Sequence, residues 1–392
     1  MLMEWRLEPV LWSFPGLSPR ALAGDSTAMT SILVIKTGAL GDVLRTTAIL
    51  PGLQQRFPNL EVTWLTAGAA VPLVQRHRLV NRVITCNPKD PGSVAAARDE
   101  LPGRKWDWVL SLDDEEPLCA LATGLDAEKT SGAVMDESGT RVYTDDVEPW
   151  FGMGLLSRAG KEAADEMKRT NTRTHPEIYA SMLGIEEGRP ELPLATEAVE
   201  GALAFAARHQ LDAGNLVVGL NTGAGGRWTS KGLPTDRVIA YAGALTTALG
   251  RDVQFLVLGG PPERERNDAI IAGINGLGIR AKAIDGGTDN DIPTFAGIVG
   301  LSDLMLTSDS LALHIGVAMD VPVVAFFAPT SAAEIELYGL GEKVASTSDD
   351  YCSYKRDADN STLTVERLVA ATMRVLEQNA GRRRLIVRPA AS

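Results

Sequence analysis

Twice along this chain a short, unbroken apolar run ends in a glycine-containing turn and is followed by a segment of helical period. That repetition restricts the fold more than any other feature. The first array opens with Ile32-Leu33-Val34-Ile35, continues with a helix expected from Val43 to Phe57 and kinked by Pro51, and returns to Val62-Thr63-Trp64-Leu65. Further short strands are expected at Arg82–Thr85 and Trp108–Ser111, with a helix near Pro117–Leu121. Strands that are apolar throughout, rather than alternating, belong to a parallel sheet covered on both faces.

The second array starts afresh at Leu216–Leu220 and alternates strands at Val253–Leu258, Ile279–Ile284, Asp303–Thr307 and Val321–Phe327 with helices at Asp236–Leu249, Glu263–Ile274, Ile292–Leu301 and Ser310–Met319, closing with a helix at Val365–Asn379. Between the arrays, Asp136 to Pro190 is less regular, with a glycine-bearing turn at Gly152-Met153-Gly154 and helices around Leu155–Lys168 and His175–Leu183. Glu191-Leu192-Pro193-Leu194 reads as a linker. At about 150 residues per domain, 392 residues make two to three domains. The expectation is an α/β protein of two doubly wound, Rossmann-like domains facing across a cleft, over residues 29–190 and 191–379, with a tail at 380–392. Residues 1–28 read as an extension ahead of Met29, because Glu4, Arg6, Glu8 and Pro15 interrupt any secretory apolar region before Ala21-Leu22-Ala23.

Charge narrows the class of partner. A net charge of −12 repels phosphate polymers and anionic lipid, so no nucleic-acid partner and at most peripheral membrane contact are expected. No apolar run approaches the roughly 18 residues a membrane helix needs. Cys86, Cys119 and Cys352 form no C-x-x-C pair, which excludes a zinc knuckle and makes reduced cytoplasm the simplest compartment.

Ligands of doubly wound sheets bind at the carboxyl ends of the strands. After the first strand comes Lys36-Thr37-Gly38-Ala39-Leu40-Gly41-Asp42, where Gly38 and Gly41 permit a tight turn into a helix start. The spacing is neither G-x-G-x-x-G nor the Walker phosphate loop, and no carboxylate follows the second strand, so a dehydrogenase or P-loop enzyme is not supported. On this loop alone Asp42 reads as a helix cap. The matching loop of the second half, Asn221 to Lys231, offers Thr222, Arg227 and Lys231 amid three glycines, as a pyrophosphate cradle or as a flexible surface loop. Glu263 follows Leu258-Gly259-Gly260-Pro261-Pro262 and reads equally as a first-turn helix residue. In Ser308-Asp309-Ser310-Leu311-Ala312-Leu313-His314, Asp309 is placed to cap a helix, while Ser310 and His314, four apart, share one side of it. A phosphate at that helix start would meet N–H groups and the Ser310 hydroxyl.

These motifs, together with Val321-Pro322-Val323-Val324-Ala325-Phe326-Phe327-Ala328-Pro329-Thr330, resemble glycosyltransferase family nine, the lipopolysaccharide heptosyltransferases, in order from about Ser31 to Asn379. The resemblance implies a GT-B architecture and inverting, metal-independent transfer of heptose from ADP-heptose to a saccharide or lipid-saccharide acceptor bound by the first domain, with no cofactor. It implies Asp42 as catalytic base and Thr222 and Lys231 as diphosphate-loop residues. It also implies Glu263 as a nucleotide-ribose contact and Asp309, Ser310 and His314 as the donor motif. Two departures stand out: Leu311 occupies a position usually held by glycine, and Asp113-Asp114-Glu115-Glu116 replaces a glutamine-glycine turn followed by a basic residue. Four carboxylates beside an acceptor cleft disfavour an acidic acceptor, although the run also reads as a solvated turn. A nucleotide-sugar epimerase of the same architecture and a non-catalytic nucleotide-sugar-binding protein remain as alternatives.

Overall fold

The protein is seen here as a computed structural model that describes residues 29–211, 214–223, 225 and 229–382. The extension at 1–28, Arg227 and most of the tail expected at 380–392 lie outside the described residues. The first sheet contains β1 (Thr30–Ile35), β2 (Leu60–Thr66), β3 (Arg82–Thr85), β4 (Trp106–Ser111), β5 (Ala127–Met135) and β6 (Arg141–Tyr143), in the order β3-β2-β1-β4-β5-β6. The second contains β7 (Leu216–Asn221), β8 (Val253–Val257), β9 (Ala281–Asp285), β10 (Leu304–Ser308), β11 (Val323–Phe327) and β12 (Gly341–Ala345), in the order β12-β11-β10-β7-β8-β9. Every pairing is parallel except β5 with β6.

The opening strand of each sheet, β1 or β7, lies between neighbours that lead away in opposite directions. That reversal opens a crevice at its carboxyl end. Ile32, Leu33, Val34 and Ile35 are wholly buried, as unbroken apolar strands require. One apolar cluster runs from the first sheet through the helix His175–Leu183 into the helices Ile292–Val299 and Leu311–Ala318 of the second half. The two halves are therefore joined by packing as well as by the chain. Among the described residues no helix is long and apolar enough to cross a membrane.

The expected Val43–Phe57 helix is two helices, Leu40–Thr46 and Ile49–Arg56. Pro51 has no N–H to give to the Thr47 carbonyl one turn back, and that carbonyl accepts from Leu50 N at 3.0 Å instead, so the break falls just upstream of the proline. The helix expected at Leu155–Lys168 is Lys161–Thr170, preceded by a short turn of helix at Glu148–Phe151. Strands β5, β6 and β12 and the helix Thr196–His209 have no counterpart in the sequence reading. Strand β5 carries Glu128, Lys129, Thr130 and Ser131 where an apolar run was sought, and its buried Ser131 is a polar joint, taking the Trp108 indole N–H at 2.8 Å and donating to Asp146 at 2.6 Å.

At Gly132 strand β5 passes from its parallel partner β4 to its antiparallel partner β6, with φ at +123°. A Cβ there would lie 1.8 Å from the Ser111 carbonyl oxygen, a backbone atom that cannot step aside. Gly132→Ala is expected to destabilise the protein by more than about 2 kcal/mol, measured by urea denaturation. A variant within about 0.5 kcal/mol of the parent would contradict the geometry.

Candidate active site

The carboxyl ends of the two sheets face a cleft of about 740 Å³ lined by residues of both halves. On the first side the loop after β1 is held in place by the loop after β4. The Lys36 ammonium pairs with the buried Asp113 carboxylate, which also accepts from the Thr37 amide and, at 2.6 Å, from the Thr37 hydroxyl. The first member of the acidic run is thus an internal brace, not part of a solvated turn. Its neighbours Asp114 and Glu115 line the cleft. Burial, with the nearby Asp113 and Asp114 charges, pushes the Glu115 carboxyl up.

Asp42 does not cap its helix. Ala39 occupies the capping position and Asp42 lies in the first turn, its Oδ1 2.8 Å from Arg45 Nη2. Burial alone would push its carboxyl up, but the Arg45 and Lys36 cations overcome this and hold it below the usual carboxylate range, ionised at neutral pH. Arg45 lies over the Trp150 ring at 5.2 Å and reaches Glu334 of the other half at 3.9 Å.

On the second side, β10 delivers Asp309 and Ser310 to the start of the helix Leu311–Ala318. Ser310, not Asp309, is the capping residue, and its side chain makes no capping bond. It accepts from Asn221 Nδ2 at 3.1 Å. Asp309 instead binds Lys231, whose Nζ lies 2.8 Å from the carboxylate and 3.0 Å from the Asp309 carbonyl. The cation expected to meet a diphosphate is thus brought to the cleft by a carboxylate. His314 projects onto the first half: a Cβ at Gly41 would lie 2.6 Å from its Cδ2. Burial, with Arg45, drives the His314 imidazole down to about 4 against the opposing pull of Asp309 and Asp42, so it is neutral at pH 7.

Gly38, Gly41, Asp42, Lys231, Asp309, Ser310 and His314 therefore share one cleft. Thr222 and Glu263 do not line it. Thr222 is buried, with its hydroxyl oxygen accepting from Arg266 Nη2 at 2.9 Å. Glu263 ends a 3-10 turn, accepting from Gly260 N at 2.8 Å and Gly225 N at 3.3 Å, which is the helix-start role rather than an open ribose contact. Lys36, Arg45, Trp150, His175 and Glu334 are among the other lining residues and were missed from sequence. Lys36 stands inside the motif that was read, and Arg45 follows Asp42 at i+3. Nothing local marks Glu334 or Trp150, which arrive from distant segments.

The architecture these features define is the two-domain GT-B fold, two Rossmann-like sheets facing across a cleft. Residues 189–365 match the model of glycosyltransferase family 9 (heptosyltransferase), so the second half carries a domain of that family. Solved structures agree in fold. A glycosyl transferase family 9 protein from Veillonella parvula has a TM-score of 0.70 at 20% identity, covering 89% of this chain and 98% of that one. The E. coli ADP-heptose lps heptosyltransferase II has a TM-score of 0.58 at 16% identity, covering 89% and 99%. E. coli heptosyltransferase WaaC with ADP-2-deoxy-2-fluoro heptose has a TM-score of 0.55 at 19% identity, covering 90% and 100%. No curated protein matches the chain.

The contact of Gly41 with His314 yields a test. Gly41→Ala should lower stability by about 1–3 kcal/mol through overpacking. In the double variant Gly41→Ala/His314→Ala the clash is absent, so its loss should be smaller than the sum of the single losses, as a denaturation double-mutant cycle will read. Simple additivity would place the two side chains apart.

Proposed function

We propose that the protein transfers heptose from ADP-heptose to a hydroxyl of a saccharide or lipid-saccharide acceptor, with inversion and without metal. The observation that carries this reading is that an ionised Asp42 on one wall and the Ser310/His314 helix start on the other face a single cleft. The family 9 domain and the ADP-heptose enzymes among the solved structures of like fold support the choice of donor.

In this mechanism the acceptor hydroxyl approaches from the first half and gives its proton to Asp42 as it attacks the anomeric carbon. The bond to the diphosphate breaks on the opposite face, and negative charge grows on the departing oxygens. Backbone N–H groups at the Leu311–Ala318 helix start, the Ser310 hydroxyl and the Lys231 ammonium meet that charge. Neutral His314, on the same side, offers a further N–H without adding a charge beside Arg45. Placing the base and the leaving-group donors on different domains separates their effects. Among the described residues no group of three or more His, Cys, Asp or Glu side chains is arranged to hold a metal ion, and the reading assigns charge neutralisation to Lys231 and the helix end. The reading places the reaction in the cytoplasm, the reducing compartment that suits the unpaired Cys86, Cys119 and Cys352.

Asp42→Asn should lower turnover by about 100-fold or more while leaving donor affinity nearly intact. Lys231→Ala should weaken donor binding by about 10- to 150-fold, the worth of a hydrogen bond to a charged group, with acceptor affinity little changed. Calorimetry with the donor and a release assay for the nucleoside diphosphate separate the two. An Asp42→Asn enzyme within a few-fold of the parent would reduce Asp42 to a structural residue. Activity should also survive EDTA, and a strict requirement for magnesium or manganese would remove the metal-free mechanism.

A further inference from the structure

We infer that Arg45 and Glu334 are positioning residues that aim Asp42 and tie its setting to the opposite domain. The inference rests on the reading of Asp42 as the base. Arg45 Nη2 lies 2.8 Å from Asp42 Oδ1, one helical turn away, which fixes the rotation of the carboxylate and commits one of its oxygens. The Ala39 amide gives the carboxylate a second hold from its own helix start.

The guanidinium is held on two further sides. It lies over the Trp150 ring at 5.2 Å and its Nη1 faces Glu334 Oε2 at 3.9 Å, while its Nε is buried without a hydrogen-bond partner. An arginine so placed has little freedom to swing away, and its side chain is 14% exposed. Glu334 is itself anchored from both halves. Its Oε1 accepts from the Tyr354 hydroxyl at 3.1 Å, and its backbone carbonyl accepts from the His175 amide of the first half at 2.9 Å. A shift of the second half relative to the first moves Glu334, and with it the partner that Asp42 depends on.

The charges facing this network come from every element packed on it. Lys36 and His314 flank Asp42, with Tyr179 and Asp309 facing Arg45. Lys168 and Tyr354 face Glu334. Arg45 supplies the largest pull keeping Asp42 ionised, opposed by burial. Glu334, on the far side of the guanidinium, has its own carboxyl pushed up by burial against the pull of Arg45.

The test is the pH dependence of kcat/KM for Arg45→Gln, Arg45→Lys and Glu334→Gln, with melting curves recorded for each. Loss of the Arg45 cation leaves burial to raise the Asp42 carboxyl. The acidic limb should therefore move to higher pH by about one unit in Arg45→Gln, with kcat falling about 10- to 100-fold and donor KM little changed. Arg45→Lys keeps the charge and should bring the limb most of the way back. Glu334→Gln removes the charged tether on Nη1, so it should lower kcat by less than Arg45→Gln does and move the limb, if at all, in the same direction. An acidic limb unmoved in Arg45→Gln, or a parental kcat in both Arg45→Gln and Glu334→Gln, overturns the inference and leaves Arg45 a packing residue. Should Asp42→Asn itself keep parental turnover, the functional reading falls instead, so the two failures are told apart.

Discussion

The contact on which the site depends is the approach of two helix starts, Gly41 of Leu40–Thr46 and His314 of Leu311–Ala318. One belongs to the first domain and carries Asp42; the other belongs to the second and begins at Ser310. Only a residue without a Cβ lets the imidazole lie against the turn, and any side chain there would wedge the helices apart at the point where the two halves of the chemistry meet. The apolar cluster continuous between the domains sets their spacing broadly, and this contact sets it locally. The glycine read from sequence as a turn former is better understood as an interface residue.

Much of the architecture was legible because parallel sheets advertise themselves. Strands β1, β2, β7, β8, β10 and β11 are apolar for most of their length, and each was found within a residue or two. What escaped was polar or at the edge. Strand β12 mixes Glu342 and Lys343 with one buried valine, β6 has only three residues, and β5 hides its pairing behind Ser131 and its charged neighbours. The helix Thr196–His209 buries only Ala202 and Ala206, leaving too narrow an apolar stripe to stand out.

The site was half legible for a related reason. Residues that reach the cleft from loops at strand ends, Gly38, Asp42, Lys231, Ser310 and His314, sit where any doubly wound sheet places its ligand residues. Thr222 and Glu263 occupy the right loops and yet turn inward, Thr222 to Arg266 and Glu263 to backbone amides at the helix start. Spacing along a loop specifies its neighbourhood, and only the hydrogen bonds decide which way a side chain faces. The residues missed altogether, Arg45 and Glu334, matter through each other, and their separation of nearly three hundred positions leaves no local trace.

Charge pairing gives the cleft its character. Lys36 is matched by Asp113, Arg45 by Asp42 and Glu334, and Lys231 by Asp309. Buried cations without partners are costly, and each carboxylate lets its cation stay charged and fixed before any ligand arrives. Under the proposed function the same pairing makes the Lys231 site a place of exchange, since a diphosphate drawing on the ammonium would compete with Asp309 for it. Donor binding must therefore either share Lys231 between two anions or turn it from one to the other. Sharing requires further donors to offset the repulsion between diphosphate and Asp309, and the helix N-terminus beside Ser310 is placed to supply them. On the first-half wall the balance is different, because Asp114 and Glu115 line it, and burial beside like charges already raises the Glu115 carboxyl. The two walls thus differ in charge: one brings Lys231 and a helix N-terminus to the cleft, the other Asp114 and Glu115.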